Sequence, residues 1–122
     1  MRTLTVKELI AAMGGTLIAG DDTAQIQRVC TDSREVQSKD AFFAIKGERF
    51  DGHDFVEQAA AQGCRTFIVS DQEKVEKIKQ KQSEERLHFI LVKDTVKALQ
   101  TLAKYYISTL PLKKKIAVTG SV

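Results

Sequence analysis

The chain of 122 residues has no tryptophan, one proline, two cysteines and two histidines. Cys30 and Cys64 form no CxxC pattern and have no histidine pair nearby, so a zinc site is unsupported and no metal is expected. Each lies in or beside an apolar strand pattern, and buried thiols in a reducing cytosol are the plain reading. No apolar run approaches the length of a membrane span, and Met1-Arg2-Thr3-Leu4-Thr5 lacks the apolar core of a signal peptide. A cytoplasmic protein without a membrane partner is expected. The net charge of +3 is small and the 19 basic residues are scattered. A nucleic-acid surface would show a basic stripe with stacking aromatics, so no nucleic-acid partner is expected. The densest run, Lys113-Lys114-Lys115, leads into an apolar strand and reads as its solvated entrance.

The composition that remains, 43% hydrophobic and 29% charged, is that of a soluble globular domain able to bury one core. Repeats, low-complexity segments and interdomain linkers are absent.

Thr5-Val6-Lys7-Glu8 has the form of a capping box at the start of a helix. Leu9, Ile10, Ala12 and Met13 form the apolar face of that helix, and Gly14-Gly15 ends it. Leu17-Ile18 reads as a short strand, Gly20-Asp21-Asp22 as a turn, and 25–29 as one alternating, half-buried strand. A core strand is expected over 41–45. A helix capped by Asp54 should come next, from Phe55 to about Gln62, ended by Gly63. Then come a strand over 64–69, a very polar helix from Glu73 to roughly Glu85, and a strand over 88–92. Asp94 should cap a helix with apolar positions Val96, Leu99, Leu102, Ala103, Tyr106 and Ile107, stopped by Pro111. A last strand is expected over 115–120. This alternation predicts an α/β fold with a mostly parallel (mixed) sheet flanked by helices.

Two polar clusters each come directly after a short apolar run. In the first, Thr31-Asp32-Ser33-Arg34, a hydroxyl and a guanidinium beyond a strand end suit a phosphate or a base edge. On these residues alone an Asp-Ser turn with Arg34 paired to a surface carboxylate is the better account, since such sequences are common. The second, Lys46-Gly47-Glu48-Arg49-Phe50-Asp51-Gly52-His53, puts a cation, two glycines, an aromatic and an imidazole into one loop. Loops this varied usually bind something, and helix amides after Asp54 would add positive charge for a diphosphate. His53 alone reads more readily as a capping or packing residue, and Phe50 as either a stacking surface or a plug. No nucleophile–base pair, carboxylate dyad or metal-ligand spacing appears, so the residues show binding chemistry without reaction chemistry, and no catalytic residue is assigned. Asp71, Glu73, Glu76, Glu84 and Glu85 read as a solvated helix and its flanks.

The runs Thr31-Asp32-Ser33-Arg34 and Phe43-Ala44-Ile45-Lys46-Gly47-Glu48-Arg49-Phe50-Asp51-Gly52-His53-Asp54-Phe55 resemble the amino-terminal domain of the Mur ligase family. Val92-Lys93-Asp94-Thr95 resembles the segment that precedes the family's central domain, and Ile116-Ala117-Val118-Thr119-Gly120-Ser121 the strand and first residues of its ATP loop. The Lys-Gly-Glu-Arg-Phe-Asp-Gly-His form is most similar to the member that joins D-alanyl-D-alanine to UDP-N-acetylmuramoyl tripeptide. The sister that adds the third peptide residue shares the Thr-Asp-Ser-Arg and Asp-Gly-His portions.

The resemblance implies a three-domain enzyme of peptidoglycan synthesis that uses ATP and Mg2+. ATP phosphorylates the carboxylate of the UDP-linked peptide, and the amine of the incoming dipeptide then attacks. Residues 1–112 would be the domain that binds the UDP substrate, and 113–122 the first strand and start of the ATP-binding domain. Ser33, Arg34, Lys46, Gly47, Phe50, Asp51, Gly52 and His53 would meet the UDP moiety, with Ser33, Lys46 and His53 foremost. Asp32 and Asp51 could instead hold the loops in shape. Thr119, Gly120 and Ser121 would begin the ATP loop, whose lysine and hydroxyl residue are not in this sequence. These residues alone are therefore expected not to turn over ATP, nor to hold a cofactor. The alternatives from the residues are the sister ligase and a noncatalytic regulatory or interaction domain of the same architecture.

Overall fold

The computed structural model describes residues 3–49, 51–81 and 87–109. Phe50, Pro111, the strand expected over 115–120, Thr119, Gly120 and Ser121 lie outside these residues, as does the proposed boundary at 112–113.

The chain opens with β1 (Leu4–Thr5) and α1 (Val6–Met13). The capping box forms: the Glu8 amide donates to the Thr5 hydroxyl at 3.1 Å, and the Thr5 amide to the Glu8 carboxylate at 2.9 Å. Gly14 ends α1 at φ +83°, a conformation that costs other residues strain. After β2 (Thr16–Ala19), the single strand expected over 25–29 is in fact two, β3 (Gln25–Ile26) and β4 (Arg28–Cys30). β3 pairs antiparallel with β1, while β4 pairs parallel with β5 (Asp40–Phe43). Gln27 is the hinge, its amide turned to the Lys39 carbonyl at 2.8 Å. Alternation alone cannot tell one strand from two that serve different sheets.

Next come a 3₁₀ turn (Gly52–Phe55), α2 (Val56–Ala61), β6 (Thr66–Val69), α3 (Gln72–Lys81), β7 (His88–Leu91) and α4 (Thr95–Thr109). The main sheet has the order β2-β7-β6-β5-β4. β4 to β7 run parallel, and β2 is the antiparallel edge against β7. The expected mixed α/β sheet is what the chain forms.

Strand alternation divides the core into two layers. Phe42, Phe67 and Phe89 are in register across β5, β6 and β7 and face α2 and α3. Phe67 meets Phe42 edge-on, with centroids 6.1 Å apart, and stacks on Phe89 at 5.5 Å. Burying each ring contributes about 2 kcal/mol. Ala41, Phe43, Ile68 and Ile90 point the other way, against Leu9 of α1 and Ala98 and Leu102 of α4. Because β4 to β7 are parallel, the loops after all four strands emerge along one edge. In open α/β sheets, ligands bind beyond that edge.

Candidate functional site

Two of those loops, from adjacent strands, carry the polar clusters. The loop after β4 is shaped from below by a two-pronged ion pair. Arg28 donates Nε to Asp40 Oδ1 at 3.0 Å and Nη2 to Asp40 Oδ2 at 2.7 Å. Nη2 also donates to the Glu35 carbonyl, and Asp40 Oδ2 accepts the Gln37 amide. The second half of the loop is thus fixed. At its tip, Asp32 accepts the Arg34 amide at 2.9 Å and the guanidinium through Nε and Nη2, both at 3.1 Å. Those side-chain bonds first, and the amide second, hold the Asp32 carboxyl below its usual range. The turn with Arg34 paired to a carboxylate is therefore the observed arrangement. The guanidinium is 77% exposed, so a ligand reaching it would share it with Asp32.

Ser33 is buried, and its carbonyl accepts Gln62 Nε2 at 2.8 Å. Its hydroxyl has no hydrogen-bond partner among the described residues. A buried polar group left this way requires an explanation.

The loop after β5 is closed at its base by an antiparallel bridge between Lys46 and Asp51 and by the Gly52 amide donating to the Ile45 carbonyl at 2.8 Å. A Cβ on Gly52 would lie 2.6 Å from the Ile45 nitrogen, so only glycine lets the loop return this closely. Gly52 is buried. Lys46 and Gly47 are both exposed, and the Lys46 ammonium has no ion-pair partner among the described residues.

One expectation needs correction here. Asp54 does not cap a helix at Phe55. Asp51 caps the 3₁₀ turn instead, accepting the His53 amide at 3.0 Å, and α2 begins only at Val56. Asp54 pairs with Lys74 at 3.1 Å. The first two amides of the turn are thus already taken, that of Gly52 by the Ile45 carbonyl and that of His53 by Asp51. The His53 side chain is engaged on both of its ring nitrogens. Its ring is 1% exposed, Nδ1 lies 2.6 Å from Asp51 Oδ1, and Nε2 accepts the amides of Ser70 at 2.9 Å and Asp71 at 3.2 Å. Lys74 Nζ reaches Asp51 Oδ2 at 3.0 Å. Burial works to raise the Asp51 carboxyl, but the His53 ring and amide and then Lys74 outweigh it and hold it well below the carboxylate range. Asp51 first, then Asp54, raises the Lys74 ammonium.

Lys74 and the amides of Ser70 and Asp71 were not legible in the sequence. Asp71 is the cap of α3, with its Oδ1 accepting the Lys74 amide at 3.2 Å, and an aspartate just before a helical stretch is the one local signal that points to it. A cleft of about 680 Å³ lies elsewhere on the same edge, between Gly14, Gly15, Ser70, Lys93 and Lys97. It contains none of the predicted site residues. No cluster with metal-ligand chemistry occurs among the described residues, and no helix among them is long and apolar enough to cross a membrane.

A mostly parallel sheet flanked by helices, with two polar loops at the carboxyl ends of adjacent strands, defines an open-sheet α/β domain. Comparison with known proteins places it further: the profile of the Mur ligase family, catalytic domain, matches residues 25–107, and the chain belongs to that family. Over 118 residues it is 39% identical to UDP-N-acetylmuramoyl-tripeptide–D-alanyl-D-alanine ligase of Bacillus subtilis, covering 96% of this chain and 24% of the relative. It is 30% identical, over 97% of its length and 23% of the relative's, to UDP-N-acetylmuramoyl-L-alanyl-D-glutamate–2,6-diaminopimelate ligase of Clostridium perfringens. The crystal structure of MurF from Acinetobacter baumannii superposes with a TM-score of 0.72 at 34% identity, covering 88% of this chain and 22% of that one. The chain spans about a quarter of the length of these relatives. Members of the Mur ligase family are ATP-dependent ligases of peptidoglycan synthesis.

Proposed function

We propose that this chain is the part of a cytoplasmic Mur ligase that holds UDP-N-acetylmuramoyl tripeptide while D-alanyl-D-alanine is joined to it. The observation that carries the reading is the pairing of two uncommitted polar groups on neighbouring loops. The Ser33 hydroxyl and the Lys46 ammonium have no partner among the described residues, whereas Asp32, Arg34, Asp51 and His53 are engaged with one another or with backbone. A hydroxyl and an ammonium beyond adjacent parallel strands suit a uridine and its diphosphate. Arg34 and Gly47 stand beside them, and Phe50 completes the loop in sequence. Asp51, Gly52 and His53 serve the site by shaping it.

ATP and Mg2+ belong to the intact enzyme in this reading, and Thr119, Gly120 and Ser121 would begin to hold the nucleotide. Residues of this chain bind and orient the UDP end of the substrate. No bond is made or broken by a side chain among the described residues. A second reading, the sister ligase that adds the third peptide residue, is favoured by the Clostridium perfringens relative.

Titrating the intact protein with UDP-N-acetylmuramoyl tripeptide, monitored by amide resonances, tests the reading. Shifts concentrated at 31–34 and 46–49 are expected, and shifts confined to another surface would refute it. Supplying D-alanyl-D-alanine against single amino acids separates the two ligases, since each consumes only its own.

A further inference from the structure

We infer that His53 and Lys74 are positioning residues that tie the loop after β5 to the loop after β6 and thereby set how Lys46 is presented. The inference rests on reading that loop as the UDP-substrate site. It starts from the tautomer. Nε2 accepts two backbone amides, from Ser70 and Asp71, so it carries no proton, and the ring proton sits on Nδ1. From there it is donated to Asp51 Oδ1 at 2.6 Å. The imidazole therefore spans two loops, with an acceptor facing one and a donor facing the other.

Asp51 is where the ties converge. Its Oδ1 takes the His53 amide and ring, its Oδ2 takes Lys74 Nζ from the first turn of α3, and its backbone bridges Lys46. Lys74 also holds Asp54 at 3.1 Å. The β5 loop is thus anchored to the end of β6 through His53 and to α3 through Lys74. Neither anchor needs to touch substrate to matter. A loop already held in its binding shape loses less freedom when the ligand arrives.

Two substitutions divide the histidine's work. His53→Gln puts an acceptor oxygen near the place of Nε2 and keeps the tie to the Ser70 and Asp71 amides. His53→Asn keeps a donor toward Asp51 and loses that tie. With uridine diphosphate as the calorimetric probe on the intact protein, His53→Asn should bind about tenfold more weakly and His53→Gln within about threefold of wild type. Lys74→Met, at a partly exposed position that leaves the core untouched, should weaken binding about threefold. Nitrogen NMR should find Nδ1 protonated and Nε2 bare. The inference is overturned if wild type binds and His53→Asn and Lys74→Met bind as tightly, if Gln and Asn weaken binding alike, or if Nε2 carries the proton. Should wild type not bind uridine diphosphate, the functional reading fails instead. The tie is then judged by hydrogen exchange at 46–49, faster in His53→Asn than in His53→Gln if it exists and equal if it does not.

Discussion

One carboxylate oxygen of Asp51 serves His53 twice, accepting its backbone amide at 3.0 Å and its ring Nδ1 at 2.6 Å. The other oxygen takes Lys74 at 3.0 Å. The sharp return of the chain after β5 is held by this one ionised group, and its charge state has consequences for stability.

Asp51→Asn should cost about 2 kcal/mol at neutral pH, since it exchanges a charged acceptor for a neutral one. The folded carboxyl titrates below its ordinary value of 3.8, so its contribution is complete above that value and is lost as pH falls toward the folded one. Denaturant melts of both proteins should show a constant gap above about pH 5 that closes with further acidification. A gap that widens in acid would contradict the assignment.

Gly52→Ala should be far more damaging than Gly14→Ala. The new methyl of the first would lie 2.6 Å and 2.9 Å from the Ile45 backbone nitrogen and oxygen, whereas that of the second meets nothing within 4 Å. Losses of about 3 kcal/mol for Gly52 and about 1 kcal/mol for the positive φ at Gly14 are expected from thermal melts. Weaker binding of the UDP substrate should accompany only the Gly52 change.

Burial pushes the Cys64 thiol up from 9.0 to about 11. The folded state then holds this proton more tightly than the unfolded chain does. Its contribution to stability is complete below 9.0 and falls as pH rises to about 11. Wild type should lose stability across that window more steeply than Cys64→Ala. In the folded protein, a thiol reagent at about pH 8 should modify half-buried Cys30 before Cys64.

Much of this architecture is written locally. The Thr5–Glu8 box, the cap at Asp94 and the short apolar runs that become β5, β6 and β7 depend on residues a few positions apart, and each forms as the sequence predicts. The features that were not legible depend on distance in the chain. The Asp51 cap looked like an Asp54 cap because a 3₁₀ turn and an α-helix start with the same residue types. The ties of His53 were hidden because its Nε2 partners are backbone amides 17 and 18 residues away, and backbone amides leave no trace in a sequence. Lys74 was hidden in a helix polar enough to pass for simple solvation. Ser33 and Lys46 could be picked out by residue type, but only the fold shows that their neighbours are engaged while they are not.

The most direct test of the central claim is a double-mutant cycle on Ser33 and Lys46 in the intact protein, reading the Kd for UDP-N-acetylmuramoyl tripeptide. Ser33→Ala and Lys46→Ala should each weaken binding about five- to tenfold with the melting temperature nearly unchanged. Affinity unmoved by either substitution would show that these two loops do not hold the nucleotide.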